Sequence, residues 1–173
     1  MALDTDTSVG FRVDSEVGTL RKVLVHRPGL EHTRLTPSNA EELLFDDVIW
    51  VKRAKEEHDA FCEVMRDRGV EVYDAETLLA DVLGIPEARE WILDQVVNER
   101  RVGIYLARSR REWAREAPAA EVADFLIGGI TKADLAAGGG LTYEAIGSTD
   151  MVLPPLPNFL FQRDPSSWIY DGV

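Results

Sequence analysis

Near the end of the chain, an amide, two phenyl rings and an Arg-Asp pair fall within seven residues: Asn158, Phe159, Phe161, Arg163 and Asp164. Pro154, Pro155 and Pro157 precede them and Pro165 follows. Prolines fix φ and push the residue before them toward extended geometry, so this stretch is rigid and non-helical. A carboxylate held beside an amide and an aromatic ring suits a planar cation. It can accept a guanidinium in a two-point fork, while the ring face attracts the same cation from the side. The plainer reading of the same residues is a proline-rich loop whose aspartate caps a helix or pairs with Arg163.

Other chemistry-bearing residues are few. His26 ends an apolar run and reads more naturally as a structural donor than as a base. Cys62 and His58 border or join one helical stripe, Val51, Ala54, His58, Phe61 and Met65. They read as a packed thiol and a packed imidazole, with no basic partner expected to activate Cys62. The single cysteine excludes an internal disulfide, and the absence of a Cys/His cluster argues against zinc.

The elements that must position these residues begin at Leu20. Leu20 to Pro28 reads as a strand, with Val23, Leu24 and Val25 buried on both faces. Ser38 with Glu41 forms a capping box for a short helix through Leu44. Asp46 and Asp47 cap a long helix from about Val48 to Arg68, which Gly69 ends. Val70 to Tyr73 alternates as a second strand, so strand, helix and strand make a parallel crossover unit. From Glu76 onward the pattern turns helical: Leu78–Leu83, Glu87–Val97 behind Pro86, Ile104–Glu116, a fourth helix from Pro118 to Ile127, and a short fifth opened by Thr131 and Asp134. Leu78, Leu79, Val82, Trp91, Ile92, Val96, Leu106, Trp113, Val122, Phe125 and Leu126 supply its expected core. Gly138, Gly139 and Gly140 read as a hinge or loop. Extended structure returns at Met151, and Ser167 to Tyr170 reads as a strand. The expected organisation is an α/β body at residues 1–75, a helical insertion at 76–148 and a return to the α/β body at 149–173.

The chain has 173 residues, 45% hydrophobic and 29% charged, enough for one domain with a sizeable core. A formal charge of −12 argues against nucleic acid and anionic membranes and is compatible with a cationic ligand. With neither a signal-like start nor a membrane-length apolar run, a cytoplasmic location is expected.

Three motifs then resemble one family in order. Glu16 to Gly29 resembles the opening strand of the guanidino-group-modifying enzymes. Leu43-Leu44-Phe45-Asp46-Asp47-Val48-Ile49-Trp50, followed by a long helix, narrows this to the arginine deiminase family. Pro157 to Pro165 resembles that family's substrate-carboxylate motif. Asp14 stands where histidine is common and Gln162 where threonine is usual. The resemblance implies a partial five-bladed α/β propeller, the pentein fold, interrupted by a helical-bundle insertion. It implies hydrolysis of L-arginine to L-citrulline and ammonia by covalent cysteine catalysis, with no metal or organic cofactor expected. By motif position, Asp164 grips the guanidinium, Asn158 binds the amino-acid end, Phe161 packs along the side chain and Leu44 walls the pocket. The family's nucleophilic cysteine, histidine and second carboxylate are expected beyond Val173. The chain alone is therefore expected to hydrolyse no arginine and to bind it weakly or not at all. Its expected partner is a further copy of itself or the remaining C-terminal portion. The alternatives are amidinotransfer, methylarginine hydrolysis and a non-catalytic arginine-binding or interaction fragment.

Overall fold

A computed structural model describes residues 12–135, 147, 148 and 150–173. The first ten residues, the Gly138–Gly140 hinge and the side chain of Leu106 lie outside what it describes. The fold is mixed α/β, with few and short strands. The described residues hold two separate two-stranded sheets and no closed barrel.

The first unit runs β1 (Lys22–Val25), α1 (Leu30–Thr33), α2 (Val51–Arg66) and β2 (Glu71–Asp74). β1 and β2 pair in parallel, with Lys22 opposite Glu71 and Val25 opposite Asp74. The expected crossover is therefore present. β1 is only half-buried, not enclosed on both faces, because β2 is its one strand neighbour among the described residues. On α2 the inward face runs through Val51, Ala54, His58, Cys62 and Met65. Cys62 is its most buried member, and Phe61 turns outward. Asp47 bonds the Val48 amide before the helix begins, so α2 starts at an uncapped Trp50 instead of at the expected aspartates. Gly69 follows it with φ of 79°, a conformation that costs a side-chain-bearing residue strain.

No helix forms over Ser38–Leu44. The Asn39 side chain accepts from the Thr36 amide at 2.8 Å and donates to the Arg34 carbonyl at 3.0 Å. That asparagine organises consecutive turns in place of the capping box, and Leu44, at φ of 62°, closes them.

Five helices follow: α3 (Ala75–Leu83), α4 (Pro86–Val96), α5 (Glu99–Val102), α6 (Ile104–Glu116) and α7 (Ala119–Gly128). Asp74 caps α3 by accepting from the Thr77 amide at 2.9 Å and also accepts from the Arg27 amide at 3.2 Å, tying β1 to the helices. Arg89 of α4 donates to the carbonyls of Ala114, Arg115 and Ala117, the end of α6 that has no intrahelical donors left. The core between these helices is built on Leu83, Leu93, Val97, Val122, Ala123 and Leu126. Leu79, Ile92, Val96, Trp113 and Phe125 pack at its margin, whereas Leu78, Val82 and Trp91 face solvent, contrary to the sequence expectation. Trp91 and Leu93 lie two residues apart on one helix and so point to different sides.

After α7 the chain makes β3 (Ile130–Thr131), which the sequence did not signal, and β4 (Met151–Leu153) pairs with it antiparallel. The fifth helix is a single 3-10 turn, Lys132–Asp134, with the expected capping box between Thr131 and Asp134. Gly129 has φ of 79°, and a Cβ there would lie 2.6 Å from the Leu153 carbonyl oxygen. Ser167–Tyr170 is not a strand. Tyr170, at φ of 53°, bonds back to Val13 through both backbone groups at 2.8 Å, and Ile169 closes a tight turn with Gly172. No helix among the described residues is long and apolar enough to cross a membrane.

Candidate functional site

Pro157 sits at the first position of a 3-10 turn, Pro157–Leu160, so the motif is a single tight turn and not the extended run that its prolines suggest. The amide of Leu156, just before it, donates to the Ile127 carbonyl at 2.8 Å, which docks the turn on the end of α7. The Asn158 side chain then donates to the Leu43 carbonyl at 2.8 Å, joining segments 115 residues apart. Phe161 stacks on Phe45, with ring centroids 6.3 Å apart and planes at 29°. Leu44 stands between Leu43 and Phe45 and is 82% exposed. Asp164 closes the next turn, its amide donating to the Phe161 carbonyl at 3.1 Å.

These contacts bring Leu44, Asn158 and Phe161 onto one exposed surface, with Asp164 one turn farther along. The Asp164 carboxylate is accessible but accepts from its neighbour: Arg163 reaches Oδ1 through Nη2 at 2.5 Å and Nε at 3.0 Å. That bond and the nearby negative charge hold the Arg163 guanidinium above its ordinary pKa. The arrangement can receive a cation with an apolar stem: carboxylate for the charge, phenyl for the stem and an amide at the far end. It contains no nucleophile.

Beneath this surface lies a group that sequence reasoning missed. His26, Glu31 and His32 are all buried. Glu31 Oε1 accepts from the Gly29 amide at 2.6 Å and from His32 Nδ1 at 2.5 Å, and lies 3.1 Å from His26 Nε2. Burial alone would raise the Glu31 carboxyl, but the hydrogen bonds from His26, His32 and the backbone outweigh it and hold it far below the usual carboxylate range. His26 meets Phe159 edge-on at 4.9 Å, and His32 meets Phe45 at 5.8 Å. His26 thus has a structural donor role, as its type suggested. Glu31 and His32 left no signal, because a charged pair inside a short polar run reads as solvated surface.

Cys62 is elsewhere. It lines a cleft of about 440 Å³ with Arg27, His58, Asp59, Asp74 and Glu76, and none of Leu44, Asn158, Phe161 or Asp164 reaches that cleft. The thiol does have a basic partner, against expectation: His58 Nδ1 lies 3.6 Å from Sγ. Burial nevertheless pushes the thiol pKa up and the imidazole pKa down, so both groups are neutral near pH 7 and the pair is not a thiolate–imidazolium nucleophile. Among the described residues, no three His, Cys, Asp or Glu side chains are placed to hold a metal ion. Compared with known protein families, the chain matches the family described as arginine deiminase over residues 41–173, a stretch that includes all four residues of the exposed surface.

Proposed function

The chain belongs to the arginine deiminase family, and on that premise we propose that its exposed Leu44–Asn158–Phe161–Asp164 surface is the substrate-gripping wall of an enzyme hydrolysing L-arginine to L-citrulline and ammonia. Family membership supports a hydrolase acting on guanidino C–N bonds. The observation that carries the finer reading is the Asn158–Leu43 hydrogen bond, which seats the turn ahead of the Asp164 carboxylate beside Leu44.

A guanidinium carbon is a poor electrophile because its charge is delocalised over three nitrogens. Attack needs a thiolate and groups that fix the cation in line with it. Asp164 fixes the guanidinium through paired N–H···O bonds, Phe161 lies along the methylenes, Asn158 receives the amino-acid end and Leu44 closes the side. The exposed position of Asp164 limits its grip until water is excluded. Because Cys62 is buried, neutral and outside this surface, the reacting thiolate belongs to polypeptide beyond these residues, and the 173 residues alone turn over no arginine. Trp50, Ile169 and Leu44 are exposed apolar residues, an arrangement that favours cover by that polypeptide or by a second copy of the chain. We place the domain division at 1–75, 76–148 and 149–173, the outer parts contributing to a pentein propeller. The sequestration of Cys62 also favours a second reading, an arginine-binding fragment without catalysis.

Titration of the chain with L-arginine, followed by NMR, tests the grip. The expected result is weak binding, seen as shifts at Leu44, Asn158, Phe161 and Asp164 that approach saturation only at high arginine concentration and vanish in Asp164→Ala. Shifts that persist unchanged in that variant, or no shifts at this surface, would refute it.

A further inference from the structure

The exposed surface rests on a buried polar group that arginine chemistry does not itself require and that lies ahead of the family-matched residues 41–173. His26, Glu31 and His32 are 1%, 1% and 2% exposed. A carboxylate is costly to bury unless it is paired and hydrogen-bonded, and an apolar filler would avoid that cost altogether. Here one oxygen, Oε1, gathers the Gly29 amide at 2.6 Å, His32 Nδ1 at 2.5 Å and His26 Nε2 at 3.1 Å. The other oxygen lies against Gly29, where a Cβ would come within 2.7 Å of it. The carboxylate is therefore closely confined.

Because an ionised carboxylate only accepts, the nitrogen facing it on each ring must carry the proton. His26 is then protonated at Nε2 and His32 at Nδ1. The opposite nitrogens, His26 Nδ1 and His32 Nε2, are buried with no hydrogen-bond partner among the described residues. Two unsatisfied nitrogens are a stability cost, and the benefit set against it is ring orientation. Each ring supports one of the two phenylalanines beneath the exposed surface: His26 meets Phe159, next to Asn158, and His32 meets Phe45, next to Leu44 and stacked on Phe161.

We propose that Glu31 is a positioning residue for the arginine-binding surface, setting the tautomer and tilt of His26 and His32 and through them seating Phe159 and Phe45. Its influence on arginine rests on the reading of that surface given above. Glu31 touches no substrate and takes no part in the chemistry. Buried carboxylates that orient histidines act this way around metal sites, where the imidazole is held for a metal; here it is held for a phenyl ring.

The first test needs no variant. Imidazole ¹⁵N spectra of the chain should report His26 protonated at Nε2 and His32 at Nδ1 near pH 7. His32 protonated at Nε2 alone would overturn the proposal. Glu31→Gln keeps the shape and removes the charge. It should mix the tautomers, weaken the His26–Phe159 and His32–Phe45 nuclear Overhauser contacts and shift the Leu44 and Asn158 amides, leaving Leu93 and Val122 unmoved. Arginine affinity should fall about tenfold or more, as misplacement of a binding group does. Glu31→Asp, which retains the charge, should restore the tautomers at least in part. Unchanged tautomers, ring contacts and affinity in Glu31→Gln would overturn the proposal. The arginine reading fails separately, if Asp164→Ala binds arginine like the unmodified chain while the Glu31 spectral changes stand.

Discussion

Replacing Arg34 with methionine should loosen the joint that carries the proposed substrate surface. Arg34 donates through Nη1 to the Gly128 carbonyl at 3.1 Å and to the Gly129 carbonyl, and through Nη2 to Asp134 Oδ2 at 2.6 Å. Its guanidinium carbon lies 6.0 Å from the Phe125 ring centroid. The Arg34 and Asp134 side chains are 11% and 25% exposed, so the pair is screened only partly. Methionine fills much of the volume but donates nothing, leaving two buried carbonyls at the end of α7 short of a donor. Each unsatisfied group costs about 1–3 kcal/mol, and a carbonyl short of a donor is tolerated better than an orphaned N–H. Breaking a fully buried ion pair costs about 3–5 kcal/mol, but Asp134 keeps the Thr131 amide and hydroxyl at 2.7 Å and is partly wet, so the ionic share is well below that. The net expectation is about 2–4 kcal/mol, read as a lowered urea midpoint at unchanged slope. The pH dependence supplies a sign. Burial raises the Asp134 carboxyl, but Thr131 and Arg34 outweigh it and hold it below its ordinary value. Its stabilisation is therefore present above the unfolded-state pKa of about 3.9 and is lost as pH falls through the lower folded value. The gap between the two proteins should be widest near neutrality and narrow toward pH 3. A loss under about 0.5 kcal/mol, the range of indifferent surface changes, or a gap independent of pH, would refute this account of the joint.

Two further outcomes follow from burial. Leu93→Ala, at a site with 0% exposure, should cost about 2–5 kcal/mol by urea unfolding, whereas Trp91→Ala, at 65% exposure, should stay within about 0.5 kcal/mol; equal losses would mean that the inward face of α4 is misassigned. Cys62 should react with iodoacetamide far more slowly in native buffer than in urea, because its thiol is both buried and raised in pKa. Equal rates would show the thiol open to solvent and would weaken the case against it as a nucleophile.

Helix boundaries were legible at several of the glycines and prolines that mark them, though not at Gly29, which precedes the unforeseen α1. Pro86, Pro118, Gly69, Gly84 and the Gly128–Gly129 pair each stand at a helix end, because the constraint they act on is local. The parallel pairing of β1 and β2 was legible for a similar reason, a long helix between two apolar runs. β3 was not, since two residues carry no period to detect. The short helix expected from Ser38 and Glu41 lost to Asn39, whose side chain satisfies backbone groups on both sides of it in a turn conformation. Motif reasoning picked out Leu44, Asn158, Phe161 and Asp164 by type and order, and the fold brings the first three onto one surface. Their support was not legible, because the burial of Glu31 and His32 depends on Phe45 and Phe159 arriving from elsewhere in the chain.

On the proposed reading, the Asp164 carboxylate is presented differently from the other groups of that surface. Arg163 occupies Oδ1, so an arriving guanidinium meets a carboxylate already half engaged. The Arg163 side chain is almost fully exposed, and an exposed pair of this kind is weak and screened by salt. Displacing it is therefore a small obstacle if a substrate cation is to take the place of Arg163. Phe161 and Asn158 are fixed differently, by a ring stack and by a hydrogen bond to a distant backbone carbonyl. On that reading the wall combines one adjustable group, the carboxylate that must exchange partners, with two fixed ones that would decide where the methylene stem and the amino-acid end lie. Discrimination among guanidino compounds should then reside in the fixed pair, because a carboxylate fork accepts any unhindered guanidinium, whereas a seated phenyl ring and a tethered amide set the length and end-group that fit.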